Sequence, residues 1–351
     1  MECSIPTEFL WGYCIFFVPV LYSIQKFTLL EDVMGKPVKI VFDTDIGGDC
    51  DDAGALAMLH RLCDKGEAEL LAVTACYASP YVAGCIDAIN RFYGREVPVG
   101  INYGVPQSEP GVYAAALCEN FPNRYPADSY GTDNGAPDTL KLLRQILADA
   151  EDGSITLVVT GNLGSMARLA TSEPDEISPM SGKELISRKL ERTVLMGGRF
   201  FESWPMPIYA AIEAIGEPST WEWNIYGSGL ETARAAFDNW CGELVLSSFE
   251  IGTYIVTMKE YPSRAAEGDP VAEAYRIHNG GRGRNSWDHT AMLEAIRPGE
   301  YWNYHAYGRV WVDENLVTHW KPDAECRHTY LLPKADYEEI RQVIDDLVDG
   351  K

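Results

Sequence analysis

Short apolar runs alternate along this chain with longer stretches whose apolar residues recur at helical spacing. The runs are Val38–Phe42 (VKIVF), Leu70–Thr74 (LLAVT), Val97–Gly100, Ile155–Thr160 (ITLVVT) and Leu244–Phe249. Their length and β-branched content predict buried strands. Ala53–Leu62, Tyr81–Tyr93 and Asp138–Ala150 predict helices, the last with Leu140, Leu143, Ile146 and Leu147 on one face. The alternation reads as α/β. Gly104–Pro137, rich in Pro, Gly, Tyr and Asn, has no steady period and predicts a long loop. Its Tyr113, Tyr125 and Tyr130 either line a pocket or cover the core. From Val310 the pattern predicts a short β-ribbon (VWVDEN with Thr329–Leu332). A closing helix follows, with Tyr337, Ile340, Val343, Ile344 and Leu347 on one face.

The first run empties into Asp43, Asp45, Asp49, Asp51 and Asp52, five carboxylates in ten residues between a strand end and a helix start. In open α/β sheets ligands bind at such a place. The cluster repels itself unless a cation neutralises it, and carboxylate oxygens favour a hard ion, Ca²⁺ or Mg²⁺. A solvated acidic turn capping a helix is the plainer reading. The preceding strand, the two glycines of the loop and the acids farther along the chain weigh against it. Counted from Asp43, the fifth and twelfth positions of an EF-hand would fall on Gly47 and Gly54, which offer no side-chain oxygen. A phosphatase with Asp43 as nucleophile fits the D-x-D spacing but leaves Asp49, Asp51 and Asp52 without a role.

A length of 351 residues, 46% of them hydrophobic, suffices for one large α/β domain or two small ones. The net charge of −23 argues against nucleic acid or an anionic membrane surface as partner. Nine scattered cysteines without a C-x-x-C pair suggest reduced thiols and a cytoplasmic protein. Residues 9–24 (FLWGYCIFFVPVLYSI) are uncharged and apolar, short for a membrane span and interrupted by Pro19. This segment lacks the basic start and cleavage site of a signal peptide. It reads as an interaction segment or an over-extended start of the reading frame. The alternative is a membrane anchor or export segment, the one place where membrane contact enters.

DTDIGGDCDDAGAL, residues 43–56, resembles the amino-terminal signature of the nucleoside hydrolases, the inosine–uridine-preferring N-ribohydrolase family. The common form is D-x-D-x-G-x-D-D-x-x-A-L; here two extra residues separate the glycine from the paired acids. The resemblance runs from about Lys36 to near residue 345, leaving 1–35 as an apolar extension and 36–351 as a catalytic domain. It implies an open, mostly parallel, Rossmann-like sheet flanked by helices. It also implies a Ca²⁺ held by Asp45, Asp52, the Thr160 backbone carbonyl and Asp288, with Asp49 as a further candidate.

Other segments carry the same resemblance. TGNLGSMARL after Ile155–Val159 and TVLMGG at Thr193–Gly198 resemble two strand ends of the family. Trp221-Glu222-Trp223-Asn224 resembles the E-x-N motif that holds the ribose hydroxyls. Two residues apart, Glu222 and Asn224 would point to one face of an extended segment. Ser79 and Gly216 stand where the family places sugar-binding asparagines. Ser286-Trp287-Asp288-His289-Thr290-Ala291 resembles the S-W-D-x-T-A branch. Asp288 keeps the metal-ligand role, and Trp287 replaces the histidine that protonates the leaving base in many members. Trp287 is read as stacking on the base or as core, and His289 as a polar residue at a helix start.

The implied function is Ca²⁺-dependent hydrolysis of the N-glycosidic bond of ribonucleosides. Asp45 is the expected general base, Asp51 the partner of the 2-hydroxyl, and Ser79, Glu222 and Asn224 further sugar contacts. The alternative is a family member that binds a sugar or nucleoside without turnover, suggested by Ser79, Gly216 and Trp287. The resemblance makes the expected partners a small-molecule nucleoside and a second copy of the chain, as a homo-oligomer.

Overall fold

The Val38 run forms strand β1 (Val38–Thr44), whose side chains alternate between two apolar layers: Ile40 and Phe42 in one, Val41 in the other. This burial on both faces is why the strand reads as a continuous apolar run. The computed structural model describes residues 36–107, 111–200 and 221–351. The apolar segment 9–24 and Gly216 lie outside the described residues.

Among the described residues, the remaining strands are β2 (Ala68–Ala75), β3 (Val99–Ile101), β4 (Ile155–Val159), β5 (Leu190–Met196) and β6 (Leu244–Ser247), then β7 (Val256–Thr257) and β8 (Arg284–Asn285). They continue with β9 (Trp302–Tyr304), β10 (Arg309–Val312), β11 (Thr318–Lys321) and β12 (His328–Pro333). Eight strands make one sheet in the order β3-β2-β1-β4-β5-β6-β12-β9. Every pairing in it is parallel except that of β9 with β12. The fold is therefore an open, mostly parallel α/β sheet. One apolar layer is closed by helices including Asp51–Asp64, Val82–Phe92, Trp287–Ile296 and Tyr337–Val348. The other is closed by Thr139–Asp149, Gly164–Ala170, Gly182–Lys189 and Leu230–Asn239.

The chain winds outward from β1 through β2 to β3, then returns to place β4 on the other side of β1. The strand order reverses between β1 and β4, and the crevice beyond their carboxyl ends is where such sheets bind ligands. The Thr160 amide donates to the Asp43 carbonyl at 2.8 Å, so the two strand exits stand side by side.

Two local expectations are corrected. Thr329–Leu332 does not belong to the ribbon: it lies in β12, which pairs with β6 and β9 inside the main sheet, with His328–Leu331 buried. Val310 pairs with Trp320 of β11 instead. Gly104–Pro137 contains a helix, Ala114–Asn120, which is too short to show a period. Tyr113, at its start, is fully buried.

Gly54 sets the approach of the Asp51–Asp64 and Trp287–Ile296 helices. A Cβ at this position would meet His289 Nε2 at 2.4 Å and Tyr275 Oη at 2.6 Å, both on buried side chains. Gly54→Ala gains about 1 kcal/mol of helix propensity, but the overpacked contact costs about 1–3 kcal/mol. Urea unfolding of Gly54→Ala should show a lower midpoint than the wild type; a higher one would mean that the helices separate without cost.

Candidate active site

Asp51 and Asp52 occupy the first turn of the Asp51–Asp64 helix, where the helix dipole favours negative charge. The loop from Asp45 to Cys50 is held by buried tyrosines. Tyr77 Oη donates to the Ile46 carbonyl and Tyr113 Oη to the Asp49 carbonyl, each at 2.8 Å. The Gly47 carbonyl accepts from the amides of Val112 (2.7 Å) and Tyr113 (3.0 Å). Gly47 itself has φ of +123°, and a Cβ there would stand 2.8 Å from the Ala114 Cβ. No other residue suits that turn without strain.

A cavity of about 430 Å³ opens over this loop. Its lining includes Asp45, Asp49, Asp51, Asp52, Thr160, Glu222, Asn224 and Asp288, together with Met196, Trp223, Phe249, Trp287 and Arg284. Carboxylate oxygens of Asp51, Asp52 and Asp288 lie within 4.8 Å of one another. Asp52 accepts from the hydroxyls of Thr44 and Thr160, the latter at 3.0 Å. Asp51 accepts from the Asp288 amide at 3.2 Å, tying two helix starts together.

Glu222 and Asn224 reach the cavity by a different route from the one expected. Asn224 lies in a helix, Trp223–Ser228, and Glu222 is its N-cap. The Glu222 carboxylate accepts from the amides of Asn224 (2.8 Å), Ile225 (3.2 Å) and Gly198 (3.2 Å). A carboxylate that captures free helix amides turns an extended segment into a helix start. The Asn224 side-chain amide donates to the carbonyls of Thr160 (2.9 Å) and Met196 (3.1 Å), joining the ends of β4 and β5. Both residues are buried.

Burial dominates the electrostatics. It raises the Asp45 carboxyl to about 6, with repulsion from Asp49 adding to it. Burial also lifts Asp51, Asp52 and Asp288 well above the usual carboxylate range, and each is raised further by its neighbours' negative charge. Glu222 rises to about 7 for the same first reason. Crowded, oxygen-only donors whose charge is this unfavourable fit a hard divalent cation. Asp51, expected at the sugar, stands in the same cluster as Asp52 and Asp288, so it too could hold the ion.

The fold brings together Asp45, Asp49, Asp51, Asp52, Thr160, Glu222, Asn224, Trp287 and Asp288. It does not bring Ser79, which is buried outside the cavity lining with its Oγ accepting from the amides of Tyr81 (3.4 Å) and Val82 (3.3 Å). A serine three residues ahead of a helix start serves its first turn. His289 is fully buried outside the cavity, and burial lowers its imidazole to about 3. Asp49 makes an ion pair with Arg284, whose Nε lies 2.8 Å from both carboxylate oxygens. His278 Nε2 is 3.4 Å from the same carboxylate. Sequence reasoning did not single out Trp223, Phe249, His278 or Arg284 as site residues. The last lies in an R-G-R-N run, residues 282–285, just ahead of Trp287.

A carboxylate-rich cavity at the switch point of a parallel sheet defines an α/β enzyme. The sequence pattern described as "Inosine-uridine preferring nucleoside hydrolase" matches residues 40–338. The chain belongs to that family, whose members are glycosidases acting on N-glycosyl compounds. No curated protein matches. Among solved structures, the chain is similar to the plant nucleoside hydrolase PpNRh1 (18% identity, TM-score 0.63), covering 89% of this chain and 99% of that one. It is also similar to the inosine-uridine preferring nucleoside hydrolase of Bacillus anthracis (18%, TM-score 0.62; 90% and 100% covered). A third is the type III effector protein XopQ complexed with adenosine diphosphate ribose (15%, TM-score 0.62; 95% and 98% covered). At these identities the structures establish the shared fold.

Carboxyls raised on folding bind protons that the unfolded chain has released, so the metal-free protein loses stability as pH rises. The window runs from the ordinary values of 3.8 and 4.5 up to about 6 for Asp45 and about 7 for Glu222. Chelator-treated protein should therefore melt at a higher temperature near pH 5 than near pH 8, and a hard divalent cation should restore most of the difference. A melting temperature that rises with pH in chelator would contradict the electrostatics.

Proposed function

We propose that this nucleoside hydrolase cleaves the N-glycosidic bond of ribonucleosides with Ca²⁺ as its cofactor. The observation that supports this best is the convergence of Asp45, Asp51, Asp52 and Asp288 beside a wall of Trp223, Phe249 and Trp287 in one cavity. The carboxylates suit a cation and a sugar; the aromatic rings suit a nucleobase. Asp45, Asp51, Asp52, Asp288 and the Thr160 carbonyl are the residues that would hold Ca²⁺, with Asp49 engaged instead by Arg284. Bound there, the ion supplies positive charge that favours deprotonation of a nearby water.

Asp45 accepts the proton of the attacking water, a task open to a carboxylate that lines the cavity beside the cation's place. The sugar passes through an oxocarbenium-like state, and the surrounding carboxylates stabilise its positive charge. Glu222 already accepts three amide hydrogens and keeps lone-pair capacity for a sugar hydroxyl. Asn224 has given its amide hydrogens to Thr160 and Met196, which leaves its side-chain carbonyl to accept from the sugar.

Reducing-sugar release from a panel of purine and pyrimidine ribonucleosides tests the reading, run with Ca²⁺ and with chelator. Calcium-dependent release is expected, and Asp45→Ala should lower kcat by about 10²-fold or more, the usual range for a lost general base. Thermal stabilisation by a nucleoside without release of base would point to binding alone. Adenosine diphosphate ribose belongs in the same panel because the XopQ structure contains it.

A further inference from the structure

We propose that Arg284 is a catalytic residue of the proposed hydrolysis: its guanidinium stabilises the departing nucleobase. The inference rests on the hydrolase reading above and concerns the half of the reaction that reading leaves without a residue. When the bond between the anomeric carbon and the base nitrogen breaks, its electron pair stays on the base. Something beside the base must meet that negative charge or protonate it.

Among the described residues, Arg284 is the one basic side chain in the cavity lining. Its backbone is fixed in β8, where Arg284 pairs with Thr257 of β7. Asp49 orients the guanidinium through Nε and Nη2. The guanidinium carbon stands 4.8 Å from the centre of the Trp287 ring. That ring is itself held, with Nε1 donating to the Phe249 carbonyl at 2.9 Å and to Thr253 Oγ1 at 3.1 Å. Among the described residues, Nη1 of Arg284 has no hydrogen-bond partner. A planar, pre-oriented cation with an unused N–H edge at an aromatic wall is suited to the nitrogen and oxygen edge of a nucleobase.

The neighbouring histidine does not compete for this role. Both nitrogens of the His289 ring are buried without a hydrogen-bond partner, against Gly54 and outside the cavity lining. Arginine stays protonated, so it stabilises the leaving group and does not hand over a proton. The water oxygen bonds to the anomeric carbon, its proton goes to Asp45, and the base leaves with the electron pair. The base then takes a proton from solvent while Asp45 returns its own, and one water is consumed. Asp49 acts through Arg284 as a positioning residue. It falls in the stretch that the two extra residues lengthen, which gives that insertion a use.

The test compares two substrates that differ in their need for leaving-group help: inosine, and 4-nitrophenyl β-D-ribofuranoside, whose nitrophenolate departs unaided. Arg284→Ala should lower kcat/KM on inosine by about 10²-fold, the usual loss on removing one charge-stabilising donor. It should leave the nitrophenyl substrate within a few fold, which also shows that the variant is folded. Added guanidinium ion at sub-denaturing concentration should restore part of the inosine activity. Asp49→Asn should show the same substrate-selective loss in kcat, smaller in size. Equal losses on both substrates, or no loss on inosine, would overturn the role of Arg284 while leaving the hydrolase reading intact. A wild-type enzyme inactive on both substrates would overturn the two together.

Discussion

Like-charged carboxylates crowded at the end of a parallel sheet are the constraint around which this molecule is arranged. Asp51, Asp52 and Asp288 converge within 4.8 Å although burial and repulsion both oppose their ionisation. Only a scaffold that cannot relax keeps them there. Asp51 and Asp52 are fixed by a helix start, and Asp288 by a second helix that Gly54 lets in close. The loop between strand and helix is pinned from beneath by Tyr77 and Tyr113. The energy stored in that repulsion is what a divalent cation would recover on binding.

The polar groups around the cluster have two functions. Glu222 caps a helix and Asn224 bridges the ends of β4 and β5, so each holds the cavity's shape as well as lining it. Thr160 contributes both a hydroxyl to Asp52 and a carbonyl to Asn224. Pre-organisation of this kind costs nothing at the moment of reaction, which is why fixed dipoles serve catalysis better than mobile ones. The aromatic part of the lining is built differently, from stacked rings and an arginine. Phe249 lies 5.3 Å from Trp287, and Arg284 covers the same indole. The cavity lining thus joins carboxylates with aromatic rings and an arginine, groups that suit the two halves of a nucleoside.

Much of this was written in the chain. Period alone located β1, β2, β4 and β6 and the helices at residues 82–92 and 139–149, because strands buried on both faces leave uninterrupted apolar runs. The spacing of acids around Asp45, and the motifs holding Thr160, Glu222, Asn224 and Asp288, named residues that the fold does gather in one cavity. Where prediction failed, the deciding contact was non-local or too short to have a period. Glu222 and Asn224 read as a strand until a carboxylate captured three amides, one of them from Gly198, twenty-four residues away. Thr329–Leu332 read as ribbon because nothing local shows that β6 offers it an open edge. Ser79 read as a sugar contact, yet the start of the Val82–Phe92 helix claims its hydroxyl.

The sequence by itself therefore determined the sheet class, the place where acids gather and the identity of those acids, since each depends on residue type and short-range spacing. Tertiary structure decided which charges are paired and which are left open. Asp49 and Arg284 are 235 residues apart along the chain, and only the return of β8 toward the β1 loop makes them an ion pair. Asp288 and His289 are adjacent in sequence, yet one faces the cavity and the other is sealed behind Gly54. Spacing along a chain fixes a residue's neighbours only within an element. Across elements, the packing of backbones and helices sets the distance, and distance in a buried site sets the chemistry.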